Sequence, residues 1–196
     1  MTYVLTPFVL LSAAAAVIAA IIAFVAWQHR AAPGGHPLVC LMAVVAIWLA
    51  GAAVEYATVG IPGKLMWSKF EYIGTLTCPV LFLLIALEYD HLDHWFTPGR
   101  VGLLFAVPLV TFLLALTNEW HGLIWPSITL TGPPSNLAVY GHGIGFWIGT
   151  VGYSYTLMAI GTVLLLRGLP LPKHLLASGC PACGRCAHSL VGQHHL

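Results

Sequence analysis

Charge is what this chain has least of. Asp, Glu, Lys and Arg make up 7% of its 196 residues, against about 25% in an ordinary soluble domain. Hydrophobic residues make up 59%, and mean hydropathy is +0.90. A chain of this kind folds in lipid. Its net charge of +1 creates no strong field of either sign, so nucleic acid is not an expected partner. No cleavable signal peptide is expected, because Met1 to Thr6 carry no basic side chain and the apolar run that follows is too long.

Several chemical signatures are missing as well. There is no His-Glu-x-x-His helix for a metalloprotease, and no Ser–His or paired-Asp arrangement within the apolar segments. An intramembrane enzyme is therefore not expected. There is no internal repeat of the kind carriers show. The five cysteines make no disulfide framework, since Cys40 and Cys78 lie alone in apolar segments and three others crowd the C-terminal tail. Ten histidines are present, but none falls mid-segment, where a haem would need them. No cofactor is expected.

What the chain does have is five apolar segments, each near the roughly 20 residues that cross a bilayer. They run over about 7–27, 37–59, 67–89, 101–117 and 143–166. The predicted fold class is all-α, a polytopic transmembrane helix bundle of five spans over residues 1–168. Gly60-Ile61-Pro62-Gly63 reads as a turn between spans 2 and 3. Basic residues set the orientation. Arg30, Arg100, Arg167, Lys173 and Arg185 follow spans 1, 3 and 5, while Lys64 and Lys69 alone lie on the other side. This bias predicts an N-terminus outside.

In so apolar a chain, the ionisable residues near the spans are the functional candidates. Glu55 sits near the outer end of span 2, seven residues after Trp48 and on the same helix face. Lys69, Glu71 and Tyr72 open span 3 across a short turn, so Glu55 and Lys69 are placed to pair. Two readings stay open: a structural ion pair between helices, or the polar floor of an outward-open ligand pocket. The loop between spans 4 and 5 holds Trp120, His121, Trp125, Asn136, Tyr140 and His142, a set suited to a small apolar or amphipathic ligand. The same residues also suit a loop folded over the bundle with its tryptophans in the headgroups. Pro79 and Pro108 lie inside spans 3 and 4 and are read either as packing kinks or as hinges.

The tail, 169–196, changes character abruptly. Cys180, Cys183, Cys186 and His188 fall at metal-ligand spacing and are weak zinc candidates. The alternatives are a disordered cytoplasmic tail or a segment produced by a shifted reading frame.

Taken in order, Trp48…Glu55, Lys69-Phe-Glu-Tyr-Ile-Gly74…Pro79, Ala86-Leu-Glu-Tyr89, Pro108…Leu116-Thr-Asn118, His121-Gly-Leu-Ile-Trp125 and Gly143-x-Gly-Phe-Trp147…Tyr153-Ser-Tyr155 form a pattern. It resembles the N-terminal seven-transmembrane sensor region of bacterial histidine kinases and diguanylate cyclases, over some 160 residues. The resemblance implies a multi-pass protein of the bacterial inner membrane with its N-terminus outside. It further implies a sensory input domain for signal transduction, a small-molecule ligand on the outer side, and a possible homodimer. Glu55, Lys69, Tyr72, His121 and Trp125 are the tentative ligand-binding set. Two departures follow: spans 6 and 7 and an output module are lacking, so truncation after span 5 is expected. A small membrane carrier, or a structural partner of another membrane protein, is the alternative.

Overall fold

The computed structural model describes residues 2–90, 92, 97–132 and 136–168. Five of its helices are long and apolar enough to cross a membrane. These are α1 (Pro7–Gln28), α2 (Gly35–Ala57), α3 (Ile61–Tyr89), α4 (Pro98–Leu116) and span 5. Span 5 is wound in two ways: a π-helical segment, Phe146–Gly152, runs into α6, Tyr153–Gly168. A single helical turn, α5 (Asn118–His121), and an antiparallel pair, β1 (Ile128–Leu130) with β2 (Ala138–Tyr140), fill the loop between spans 4 and 5. Ile128 faces Tyr140 and Leu130 faces Ala138.

The expected bundle of five spans is present, with one boundary well off. α3 starts at Ile61 rather than near residue 67. Its first residues are Ile-Pro-Gly, which read in sequence as a turn. Proline is tolerated in a first helical turn, where its missing N–H has no partner to lose. The stretch read as a loop is thus helix, and it brings Lys64 into the bundle.

α3 is the hub. Over its most apolar 18 residues 56% are buried, against 11–22% for the other four spans. Its lower half makes a core of Val80, Leu81, Leu83, Leu84 and Leu87 with Leu157 of α6, and α2 and α4 pack against the same cluster. In lipid no hydrophobic force draws helices together, so close packing must hold them. At Gly74 a Cβ would lie 2.6 Å from the Cβ of Trp48. Only glycine lets α2 come this near to α3.

One end of the bundle gathers the start of α1, the end of α2, the start of α3, the end of α4, the hairpin and the start of span 5. There Val4 N–H donates to the Ala57 carbonyl and Val59 N–H to the Thr2 carbonyl, tying the N-terminal strand to the end of α2. The opposite end includes Asp90, Leu92 and Thr97; residues 91 and 93–96 lie outside the described residues, as do 169–196. The tail candidates Cys180, Cys183, Cys186 and His188 are therefore outside them as well.

Candidate functional site

Three polar residues in the first half of α3 fall on one stripe. Lys64, Ser68 and Glu71 are spaced i, i+4, i+7, one face of a helix. Lys64 is completely buried and Ser68 nearly so. Glu55 of α2 lies against this stripe, 4% exposed. Lys64 Nζ donates to the Glu55 carbonyl oxygen at 2.8 Å, and its charge attracts both the Glu55 and Glu71 carboxyl groups. Glu71 Oε1 is buried without a hydrogen-bond partner among the described residues.

Tyr140, the last residue of β2, reaches down into this cluster. Its hydroxyl donates to Glu55 Oε1 at 2.9 Å and is also hydrogen-bonded to Ser68 Oγ. A phenol has one proton to give. With that proton on Glu55, Ser68 must be the donor to Tyr140. The chain Ser68 to Tyr140 to Glu55 thus runs one way, from α3 through the hairpin to α2. Burial pushes the Tyr140 hydroxyl above its ordinary pKa, so it remains a donor at any physiological pH.

An aromatic layer lies beside the polar one. Tyr72 and Trp125 meet edge to face, with centroids 4.9 Å apart, and Tyr140 stacks at a tilt on Trp125, 5.5 Å away. Tyr72 and Trp125 are each 6% exposed. Leu76, Ala115 and Ile124 complete this second core.

Asn118 fixes the loop that carries Trp125. Its Oδ1 accepts from the N–H groups of Ile124 (3.0 Å) and Trp125 (2.9 Å). Its Nδ2 donates to the Trp125 carbonyl at 2.9 Å. One buried amide thus satisfies three backbone groups that would otherwise be stranded. Asn136 acts likewise for the hairpin, donating to the carbonyls of Tyr56 and Thr58, both at 3.1 Å.

The expected Glu55–Lys69 pair is not formed. Lys69 bonds Glu119 at 2.5 Å and the Leu116 carbonyl at 2.9 Å. Lys69 is five residues past Lys64, which at about 100° per residue puts the two about 140° apart around the helix. Only Lys64 can face Glu55. The Lys69 hydrogen bond holds the Glu119 carboxyl below the usual carboxylate range. His121 is exposed; its Nδ1 accepts from Leu123 N–H at 3.0 Å, and its Nε2 lies 3.1 Å from Thr117 Oγ1.

Of the five tentative binding residues, Glu55, Tyr72 and Trp125 therefore converge, while Lys69 and His121 sit at the rim. Sequence reasoning did not single out Lys64, Ser68, Glu71 and Asn118. The i, i+4, i+7 stripe of the first three was the available signal, hidden by the misplaced start of α3. Pro79 and Pro108 are buried within unbroken helices. Two apolar grooves flank α4. One, of about 480 Å³, is lined by Ile73, Leu76 and Thr77 of α3 and by Phe105, Pro108 and Phe112 of α4. The other, of about 410 Å³, lies between α4 and span 5. Neither is lined by Glu55.

Residues 11–177 match the N-terminal 7TM region of histidine kinase. The chain belongs to that family. Comparison with curated proteins and with solved structures returned no match. As a 7TM histidine-kinase region the chain is a membrane-embedded sensory domain, a type of module that is not itself catalytic.

Proposed function

We propose that this 7TM histidine-kinase region is a ligand-input domain of the bacterial inner membrane, with its N-terminus and the hairpin outside. The ligand is a small amphipathic molecule taken at the hairpin end of the bundle. Its polar part addresses Glu55 and the rim residues Lys69 and His121. Its apolar part lies against Tyr72 and Trp125.

One observation carries this reading. The one-way chain Ser68 to Tyr140 to Glu55 links two spans to the loop that covers them, at the end where ionisable groups are buried. Ionisable groups buried in a membrane protein are costly and are functional candidates by default. A ligand that competed for the Tyr140 hydroxyl or the Glu55 carboxyl would loosen or tighten the hairpin against α2 and α3.

The experiment joins residues 1–168 to a histidine-kinase output module and reads autophosphorylation. Glu55→Gln keeps the shape and an acceptor but removes the charge. We expect its output to be locked, high or low. Wild-type output from Glu55→Gln would remove Glu55 from the site.

A further inference from the structure

An α-helix closes its hydrogen bonds four residues back. The segment Phe146–Gly152 of span 5 is wound as a π-helix, in which bonds close five back: at its end Tyr153 N–H donates to the Ile148 carbonyl, whereas Trp147 N–H at its start still donates four back, to Gly143. Such windings are rare, usually one turn long, and frequent at functional sites. They hold one residue more than the α-helix that could replace them. The same stretch therefore has two competing windings, related by a one-residue step of about 1.5 Å and about 100°.

The contacts around the segment show what would choose between them. Above, Thr150 Oγ1 reaches the Tyr72 hydroxyl at 3.4 Å, long for a hydroxyl pair. Gly149 rests on Thr111 of α4 so closely that a Cβ there would collide with the threonine side chain. Below, Tyr153 is the first α-helical residue, and its hydroxyl donates to the Leu104 carbonyl at 2.6 Å. Leu104 lies four residues before Pro108, whose nitrogen carries no hydrogen. The helix of α4 therefore cannot supply this carbonyl with its usual donor. Span 5 supplies it instead.

We propose that the π segment and the hydrogen-bond gap at Pro108 form one two-state joint. In the arrangement seen here, Tyr153 caps the Leu104 carbonyl and Phe146–Gly152 keep their wide winding. In the other, the segment takes α winding, Tyr153 leaves Leu104, and the part of span 5 above it turns against Tyr72 and α4. The joint deepens the ligand-input reading, because a ligand on Tyr72 and Trp125 biases it by its differential affinity for the two arrangements. The joint itself needs no ligand to be observed.

The test is electron–electron distance measurement on the chain in lipid nanodiscs, with native cysteines replaced. Spin labels go at Ile144 and Val163, both exposed and on opposite sides of the π segment. Tyr153→Phe keeps the ring and removes only the cap. It should produce a second distance population, displaced on the order of 5 Å by the register step. Deleting Ile148, 66% exposed, takes out the surplus residue and leaves both sides on their present faces. In that background Tyr153→Phe should produce no second population. A single unchanged distance in Tyr153→Phe alone overturns the proposal, and so does a second population that survives the deletion. If the deletion variant does not fold, the first comparison decides. Wild-type signalling from Glu55→Gln would sink the ligand reading and leave this measurement untouched.

Discussion

At the scale of single residues, the strongest prediction concerns Asn118. It is 6% exposed and holds three backbone groups of the loop before Trp125. Asn118→Ala would leave two N–H groups and a carbonyl buried and unpaired, at about 1–3 kcal/mol for each that water does not reach. A loss of roughly 2–4 kcal/mol is expected, read as a lowered unfolding midpoint in mild detergent. A midpoint within error of wild type would mean that water already serves these groups. The Lys69–Glu119 pair should behave in the opposite way. Because the Glu119 pKa is lowered in the folded chain, the pair stabilises above the usual carboxylate range. That contribution is lost as pH falls through the lowered value. Glu119 is 52% exposed, so solvent screens the pair. Glu119→Gln should flatten the acid limb of the stability curve only slightly, and not at all in high salt. A large loss of stability at neutral pH would contradict the exposed geometry. Glu55 was legible in the sequence as a costly charge beside a span. Its true partners were not, because they depend on which way Lys64 and Lys69 face, and that follows from where α3 begins.

At the scale of elements, the spans were legible because apolar length is a direct consequence of bilayer thickness. The hairpin was not. Its strands are three residues each, too short for an alternating pattern, and its closure rests on Asn136 reaching α2, some 80 residues away in sequence. The π winding of span 5 also leaves no periodic signature in so uniformly apolar a stretch. Close approach of α2 and α3 was visible only as a glycine, Gly74, and the structure adds what lies above it. Gly74→Ala drives a methyl into the Cβ of Trp48, which no rotamer change moves, so α2 and α3 must part. Overpacking of this kind costs about 1–3 kcal/mol. The variant should melt earlier than wild type, and Trp48→Phe should not rescue it, because phenylalanine keeps the Cβ and Cγ that the new methyl meets. If Gly74→Ala melts like wild type, the helices have room to part and the contact is loose.

At the scale of the whole molecule, the proposed orientation rests on the basic residues at the two ends of the bundle. The rule that places positive loops in the cytoplasm counts Lys and Arg near the ends of spans. At the hairpin end the two lysines are spoken for: Lys64 is fully buried on Glu55, and Lys69 is paired with Glu119. At the other end Arg30 lies over the Trp27 ring, 4.4 Å from its centroid, where a cation and an interfacial aromatic both belong. The rule counts Lys and Arg rather than net charge, so the pairing of the two lysines leaves the proposed orientation resting on the residue count. Cysteine labelling with an impermeant maleimide on spheroplasts measures this directly, using a chain whose native cysteines are replaced. Trp120→Cys, at a site 87% exposed beside the hairpin, should react at once. Ala31→Cys, exposed in the turn after α1, should react only after lysis. The reverse pattern would put Glu55, Tyr140 and Trp125 on the cytoplasmic side. Any ligand of this site would then be a metabolite of the cell itself, and the bundle would report on the interior.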